Sequence, residues 1–144
     1  FVCIKQIYLD SNSTSSLITE AKSDIQQLCE IRVQQLVNMY GYAVDPLQHS
    51  VFIVNEWVDG GSLLDLLHSR QDLSEIDRLR LCHEAVTAVN YLHHMEIIHG
   101  DIRSANFWVD RSLGYRLKLA DFGFLKVQLN MLAMRSQVSR AKSN

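Results

Sequence analysis

Four groups of charged and amide side chains fall in one order along the chain. A lysine ends an apolar run, Val2-Cys3-Ile4-Lys5, and an acid, Glu20 or Asp24, lies on the segment that follows. His99-Gly100-Asp101 then leads through Ile102-Arg103-Ser104-Ala105 to Asn106, and Asp121-Phe122-Gly123 comes last. A cation, carboxylates and an amide oxygen are the groups that neutralise and position a charged reactant, and the oxygens are suitable ligands for a hard divalent cation. Each group alone is a weak signal. A lysine at a strand end is most simply solvated, and Asp-Phe-Gly is most simply a turn with glycine at positive φ. The ordered set is the strong signal.

The elements that must position these groups are readable from periodicity. Phe1 to Ile7 is β-rich and is closed by a Ser/Asn/Thr cluster at 11–16, which predicts a strand and then a loop. From Leu17, apolar or small residues recur at Leu17, Ala21, Ile25 and Leu28, with Lys22, Gln26, Gln27 and Glu30 opposite, the period of an amphipathic helix. Tyr40 to Val44 and Val51 to Val58 are strand-like runs around Asp45-Pro46, a turn signal that predicts a hairpin. Gly60-Gly61 breaks the pattern. Ser62 is placed to cap a short helix with Leu63, Leu64, Leu66 and Leu67, and Ser74 a long one to about Met95. The apolar stripe predicted for the long helix is Leu79, Ala85, Val86, Val89 and Leu92. Short strands are expected at Phe107 to Val109 and Arg116 to Leu119. The 127–144 stretch, with Arg135, Arg140 and Lys142 and no acid, predicts a solvated, mobile loop.

Composition narrows the class. At 47% apolar and 21% charged, the 144 residues are those of a globular protein and exclude collagen-like, disulfide-scaffold and charge-rich disordered chains. A net charge of -2 lacks the basic excess of phosphate-backbone binding, so nucleic acid is not an expected principal partner. Three cysteines without metal-ligand spacing or a secretory pattern predict reduced thiols in the cytosol or nucleus. Cys82 and His83 are adjacent on the long helix, which is not zinc-ligand spacing. No run approaches the roughly 18 apolar residues of a membrane helix. Phe1 already lies in an apolar strand-like run, which predicts a piece of a longer domain.

The ordered set, H-x-D-x-x-x-x-N followed by D-F-G, resembles the protein-kinase signature set, and the resemblance covers nearly the whole chain. Ile102-Arg103-Ser104-Ala105-Asn106 resembles the tyrosine-kinase-like group, mostly serine/threonine-specific. His-Gly-x-Ile-Arg-Ser-x-Asn-Phe and Lys-Leu-Ala-x-Phe are similar to the mixed-lineage kinase domain-like pseudokinases of necroptosis signalling. The resemblance implies an α+β, bilobal kinase-like fold. Residues 1–56 would form a partial small lobe, 57–61 a hinge, and 62–144 a partial helical lobe with a truncated activation loop. The first strands, with their Gly-rich loop, and most of the helical lobe would be missing. ATP would lie in the cleft between the lobes, with Mg²⁺, and the protein would be cytoplasmic and act on a protein substrate or signalling partner. By itself the fragment would be inactive.

Residue roles follow from the same resemblance. Lys5 would pair with the α/β-phosphates, Asp121 would ligate Mg²⁺, Asn106 the second Mg²⁺, and Asp101 would accept the proton of the substrate hydroxyl. Arg103 keeps a cation where serine/threonine kinases usually place a lysine near the γ-phosphate. Val54-Asn55-Glu56-Trp57-Val58 resembles the hinge, so the backbones of Glu56 and Val58 would bond the adenine edge, with Asn55 as a polar gatekeeper.

Several positions depart from the pattern. Glu20 has the familiar residue type for the partner of Lys5, whereas Asp24 has the ungapped spacing to Leu36-Val37-Asn38-Met39-Tyr40 and puts Leu28 at the buried position one turn on, so Asp24 is preferred. Gly100 replaces the arginine that reads a phosphate on the activation loop, so phosphorylation of Ser136 or Ser139 would not act through it. Trp108 stands where an aliphatic side chain lies under the adenine, and Cys3 where an alanine lies above it; both larger groups narrow the slot or, for Trp108, simply fill core. These departures support the competing expectation of a pseudokinase acting as switch or scaffold. His99 is expected to be structural, beside Phe122.

Overall fold

The computed structural model describes residues 1–8, 15–45, 47–48, 50–69 and 73–122, the side chains of 15–21 and 24 excepted. Gly123, Arg135, Ser136, Ser139, Arg140 and Lys142, and the loop expected at 127–144, lie outside these residues. The chain divides into two compact units. Among the described residues, the first comprises Phe1–Ile31 and Asn38–Glu56, and the second Arg32–Val37 and 57–122.

In the first unit, β1 (Val2–Tyr8), β2 (Met39–Asp45) and β3 (Ser50–Glu56) form an antiparallel sheet in the order β1-β3-β2, accompanied by α1 (Ser15–Glu30). Alternation along β1 puts Cys3, Lys5 and Ile7 on one face and leaves Val2, Ile4 and Tyr8 exposed on the other. Ile25 and Leu28, two of the predicted helix stripe, are buried. The predicted hairpin is present, and Asp45 Oδ1 accepts the Leu47 and Gln48 N–H groups at 2.9 and 3.1 Å, closing the turn as an Asx motif. β3 ends at Glu56, short of the Val58 expected from its apolar run, with the Glu56 N–H donating to Asn38 O at 2.8 Å.

The second unit contains α2 (Leu63–Ser69), α3 (Glu75–His94), a 3-10 turn (Ser104–Asn106), β4 (Phe107–Asp110) and β5 (Arg116–Leu119). β4 and β5 pair antiparallel. Residues 35–37 join the outer edge of β5, since Leu119 N–H donates to Gln35 O at 2.8 Å and Val37 N–H to Leu119 O at 3.0 Å. Gly60 and Gly61 close the outer edge of β4: Gly60 N–H donates to Val109 O, and Val109 N–H to Gly61 O, each at 2.9 Å. A Cβ at Gly60 would overlap the Val109 carbonyl oxygen and lie 2.9 Å from its carbonyl carbon. Glycine is thus required there by close backbone approach. Ser62 caps α2 as expected: its Oγ accepts from Asp65 N–H at 3.1 Å and donates to Asp65 Oδ2 at 2.6 Å, and this bond holds the Asp65 carboxyl below its ordinary pKa.

Ser74 caps α3, accepting from Asp77 N–H at 3.1 Å. The expected stripe on α3 is only partly covered within this chain. Leu81, Glu84, Ala88 and Leu92 are buried, whereas Leu79 and Val86 are 70% and 68% exposed. A carboxylate shares the buried face: Glu84 accepts Leu117 N–H at 2.8 Å and Arg116 Nη1 at 2.9 Å, tying α3 to β5. Hydropathy reads such a residue as surface, although buried charges are retained when fully paired. At the other end, Ile97 N–H donates to Leu92 O at 2.9 Å and Glu96 N–H to His93 O at 3.0 Å, a Schellman motif with Glu96 left-handed at φ 57.

Two stability outcomes follow, both read by denaturant unfolding of the full-length protein. Gly60→Ala loses about 3 kcal/mol, because the clash is with β4 backbone that no rotamer change relieves. Glu96→Gly gains about 1 kcal/mol, because glycine carries no Cβ penalty at positive φ and the negative charge at the helix C-terminus is removed.

Candidate functional site

The 99–121 residues build one hydrogen-bonded constellation within the second unit. His99, 3% exposed, bridges two segments: Nε2 bonds Ala120 O at 2.8 Å and Nδ1 accepts from Asp101 N–H at 3.2 Å. A carbonyl can only accept, so Nε2 carries the proton and the ring is a fixed neutral tautomer. Its structural role matches expectation, with Phe122 also buried. Gly100, at φ 81, makes the turn between His99 and Asp101 in the left-handed region.

Asn106 is the hub. Its Nδ2 donates to Asp101 O at 2.8 Å and to Asp101 Oδ2 at 2.9 Å. Both partners are pure acceptors, which settles which end of the amide is nitrogen and leaves Oδ1, a hard donor, turned away from Asp101. The Asn106 backbone closes the 3-10 turn by donating to Arg103 O at 2.9 Å and accepts from Ala120 N–H at 2.9 Å. Asp121 is therefore held beside the Asp101 loop through its neighbour Ala120, and it is itself left-handed at φ 58, a conformation that a short polar side chain tolerates. Arg103 Nε lies 3.1 Å from Asp101 Oδ2, with both side chains mostly exposed. An exposed pair of this kind adds little stability and serves mainly to orient the carboxylate.

The structure thus joins Asp101, Arg103 and Asn106 directly, and bonds Ala120, the residue before Asp121, to Asn106 and His99. Trp108 lies on β4 opposite Lys118, half-buried and packed against the cluster of Val37, Val58 and Ala120. Cys3 and Lys5 lie in the first unit, where they share a face of β1 opposite Asn55 and the fully buried Ile53. Glu20 and Asp24 both fall on α1, and their side chains lie outside the described residues. Glu56 Oε2 accepts from Asn38 N–H at 3.0 Å and Asn38 Nδ2 at 2.8 Å. The sequence reading passed over this contact, and over Glu84, because nothing local marks a pairing between residues so far apart in the chain.

A family model described as the protein kinase domain matches residues 1–140. The serine/threonine-protein kinase dst1 of Dictyostelium discoideum is 35% identical over 137 residues, which cover 94% of this chain and 17% of that protein. The LRR receptor-like serine/threonine-protein kinase ERL2 of Arabidopsis thaliana is 33% identical over 131 residues, 87% of this chain and 13% of that protein. Mitogen-activated protein kinase kinase kinase 1 of Homo sapiens is 28% identical over 125 residues, 85% of this chain and 8% of that protein. The chain therefore spans 17% or less of the length of these three relatives. Among the described residues no helix is long and apolar enough to cross a membrane. With Asp101 bonded to Asn106, Asp121 following in the signature order, and the family match running through all of them, this chain belongs to the protein kinase family.

Proposed function

We propose that the protein of which this chain is part transfers the γ-phosphoryl group of ATP to a serine or threonine hydroxyl of a protein substrate, within the tyrosine-kinase-like group. The observation that carries the reading is the double hydrogen bond from the Asn106 amide to Asp101, which fixes a carboxylate while leaving an oxygen ligand available. Asp101 would accept the hydroxyl proton, its orientation set by Asn106 and Arg103. Arg103 would also keep positive charge near the transferred group. The donor set fits Mg²⁺, a hard cation that takes a few protein oxygens and fills its remaining positions with water and phosphate: Asn106 Oδ1 and the Asp121 carboxylate would hold it. When bound, the ion would neutralise charge on the phosphates. Lys5 would pair with the α/β-phosphates, braced by Asp24 or Glu20, and the Glu56 carbonyl and Val58 backbone would meet the adenine. The Glu56 N–H is already committed to Asn38.

A second reading has one observation in its favour. The Trp108 indole is packed on Val37, Val58 and Ala120, a bulk that would narrow a nucleotide slot and suit a pseudokinase switch or scaffold.

Thermal unfolding of the full-length protein with ATP, with and without Mg²⁺, separates the two, because a ligand raises the apparent stability of the state it binds. A Mg²⁺-dependent rise lost in Asp121→Asn is expected for the transferase, and no rise with folded protein favours the switch. Asp101→Asn should lower kcat by about 10²- to 10⁴-fold, the range of general-base removal, with ATP affinity retained. Comparison of Asp24→Ala with Glu20→Ala should show the larger loss of transfer for Asp24; a larger loss for Glu20 reverses that assignment.

A further inference from the structure

Asn38 and Glu56 bond each other three times. Glu56 N–H donates to Asn38 O at 2.8 Å, Asn38 N–H to Glu56 Oε2 at 3.0 Å, and Asn38 Nδ2 to the same Oε2 at 2.8 Å. A carboxylate oxygen only accepts, so the amide orientation is unambiguous, and two of the three bonds are charge-assisted. Where the pair sits in the chain gives it meaning. Asn38 is the first residue of the first unit after the 32–37 segment, and Glu56 is the last before the chain passes to residue 57. The chain crosses from one unit to the other beside each of them. The sheet ladder is also irregular here, with Met39 opposite Asn55, Gly41 opposite Val54 and a register shift between. A bulge disrupts regular pairing next to a point that must be held, and the Glu56 side chain supplies bonds from outside the ladder.

We propose that Asn38 and Glu56 form a positioning pair that ties the two chain crossings together and fixes the backbone from which residues 57–61 depart. The pair acts through the backbone of Glu56 and its successors. The consequence for nucleotide affinity rests on the reading above that this backbone meets the adenine, whereas the mechanical role of the pair does not. A carboxylate that receives two donors from a residue 18 positions away is more than a strand-end hydrogen bond, because it adds two charge-assisted bonds to the single backbone bond between the crossings.

Hydrogen–deuterium exchange on the full-length protein without nucleotide is the primary test, followed by ATP titration. Asn38→Asp, which sets two carboxylates against each other, is expected to speed exchange of the 56–60 amides by about tenfold or more, and Asn38→Ala, which removes one bond of the three, by several-fold, while the α3 amides keep their protection and show the fold intact. Asn38→Asp combined with Glu56→Gln, which exchanges carboxylate and amide between the two positions, is expected to restore slow exchange. ATP affinity should fall by roughly tenfold in the single variants and recover in the double one, with kcat at saturating ATP changed by less than about twofold, the signature of a binding effect. Unchanged exchange at 56–60 in both single variants, or no recovery in the double variant, overturns the proposal. The expected exchange pattern in a protein that binds no nucleotide supports the pair and removes the transfer reading instead.

Discussion

The double hydrogen bond from Asn106 to Asp101 is the constraint on which the rest of the candidate site depends. One amide nitrogen satisfies both a backbone carbonyl and a carboxylate, so the loop from 101 to 106 closes into a single conformation. The same residue accepts from Ala120, and His99 bonds the Ala120 carbonyl from the other side. Both backbone polar groups of Ala120 are thereby taken up, and Asp121 emerges from that point with little freedom left. A buried polar network of this kind is stable only when every member is paired, and among the described residues no buried side-chain nitrogen or oxygen lacks a partner.

The surrounding sheet makes such precision possible. β4 and β5 are short, and they are extended on one edge by residues 35–37 and on the other by Gly60 and Gly61. That layer holds Asn106 just ahead of β4 and Asp121 just after β5. Glu84 locks α3 beneath it through Leu117 and Arg116. A glycine where two backbones touch and a carboxylate turned inward thus have the same structural purpose as the apolar core residues Leu36, Val109 and Leu119, which are buried to 1% or less.

Much of this was legible in the residues. Periodicity located the strands and the helices with their serine caps, because local propensity and tertiary packing agree there. The ordered chemistry of Lys5, Asp101, Asn106 and Asp121 pointed to the family before any geometry was known. The failures share a physical cause. Glu84 is buried on α3 by an ion pair and a backbone bond, which no helical period encodes. The Asn38–Glu56 contact and the edge pairing of Gly60 are likewise long-range, and only the fold makes them visible. Gly100 looked like a lost arginine; at φ 81 it is also a residue suited to the turn it makes.

Under the proposed function, Asn106 Oδ1 and the Asp121 carboxylate would hold Mg²⁺, and Asp101, oriented by Asn106 and Arg103, would act on a hydroxyl. A crystal structure of the full-length protein with Mg²⁺ and a non-hydrolysable ATP analogue tests it most directly. Mg²⁺ is expected at about 2.1 Å from Asn106 Oδ1 and from an Asp121 carboxylate oxygen, with the Asn106–Asp101 bonds intact. A bound metal that ignores both residues, or an Asn106 amide turned to put its oxygen toward Asp101, would contradict it.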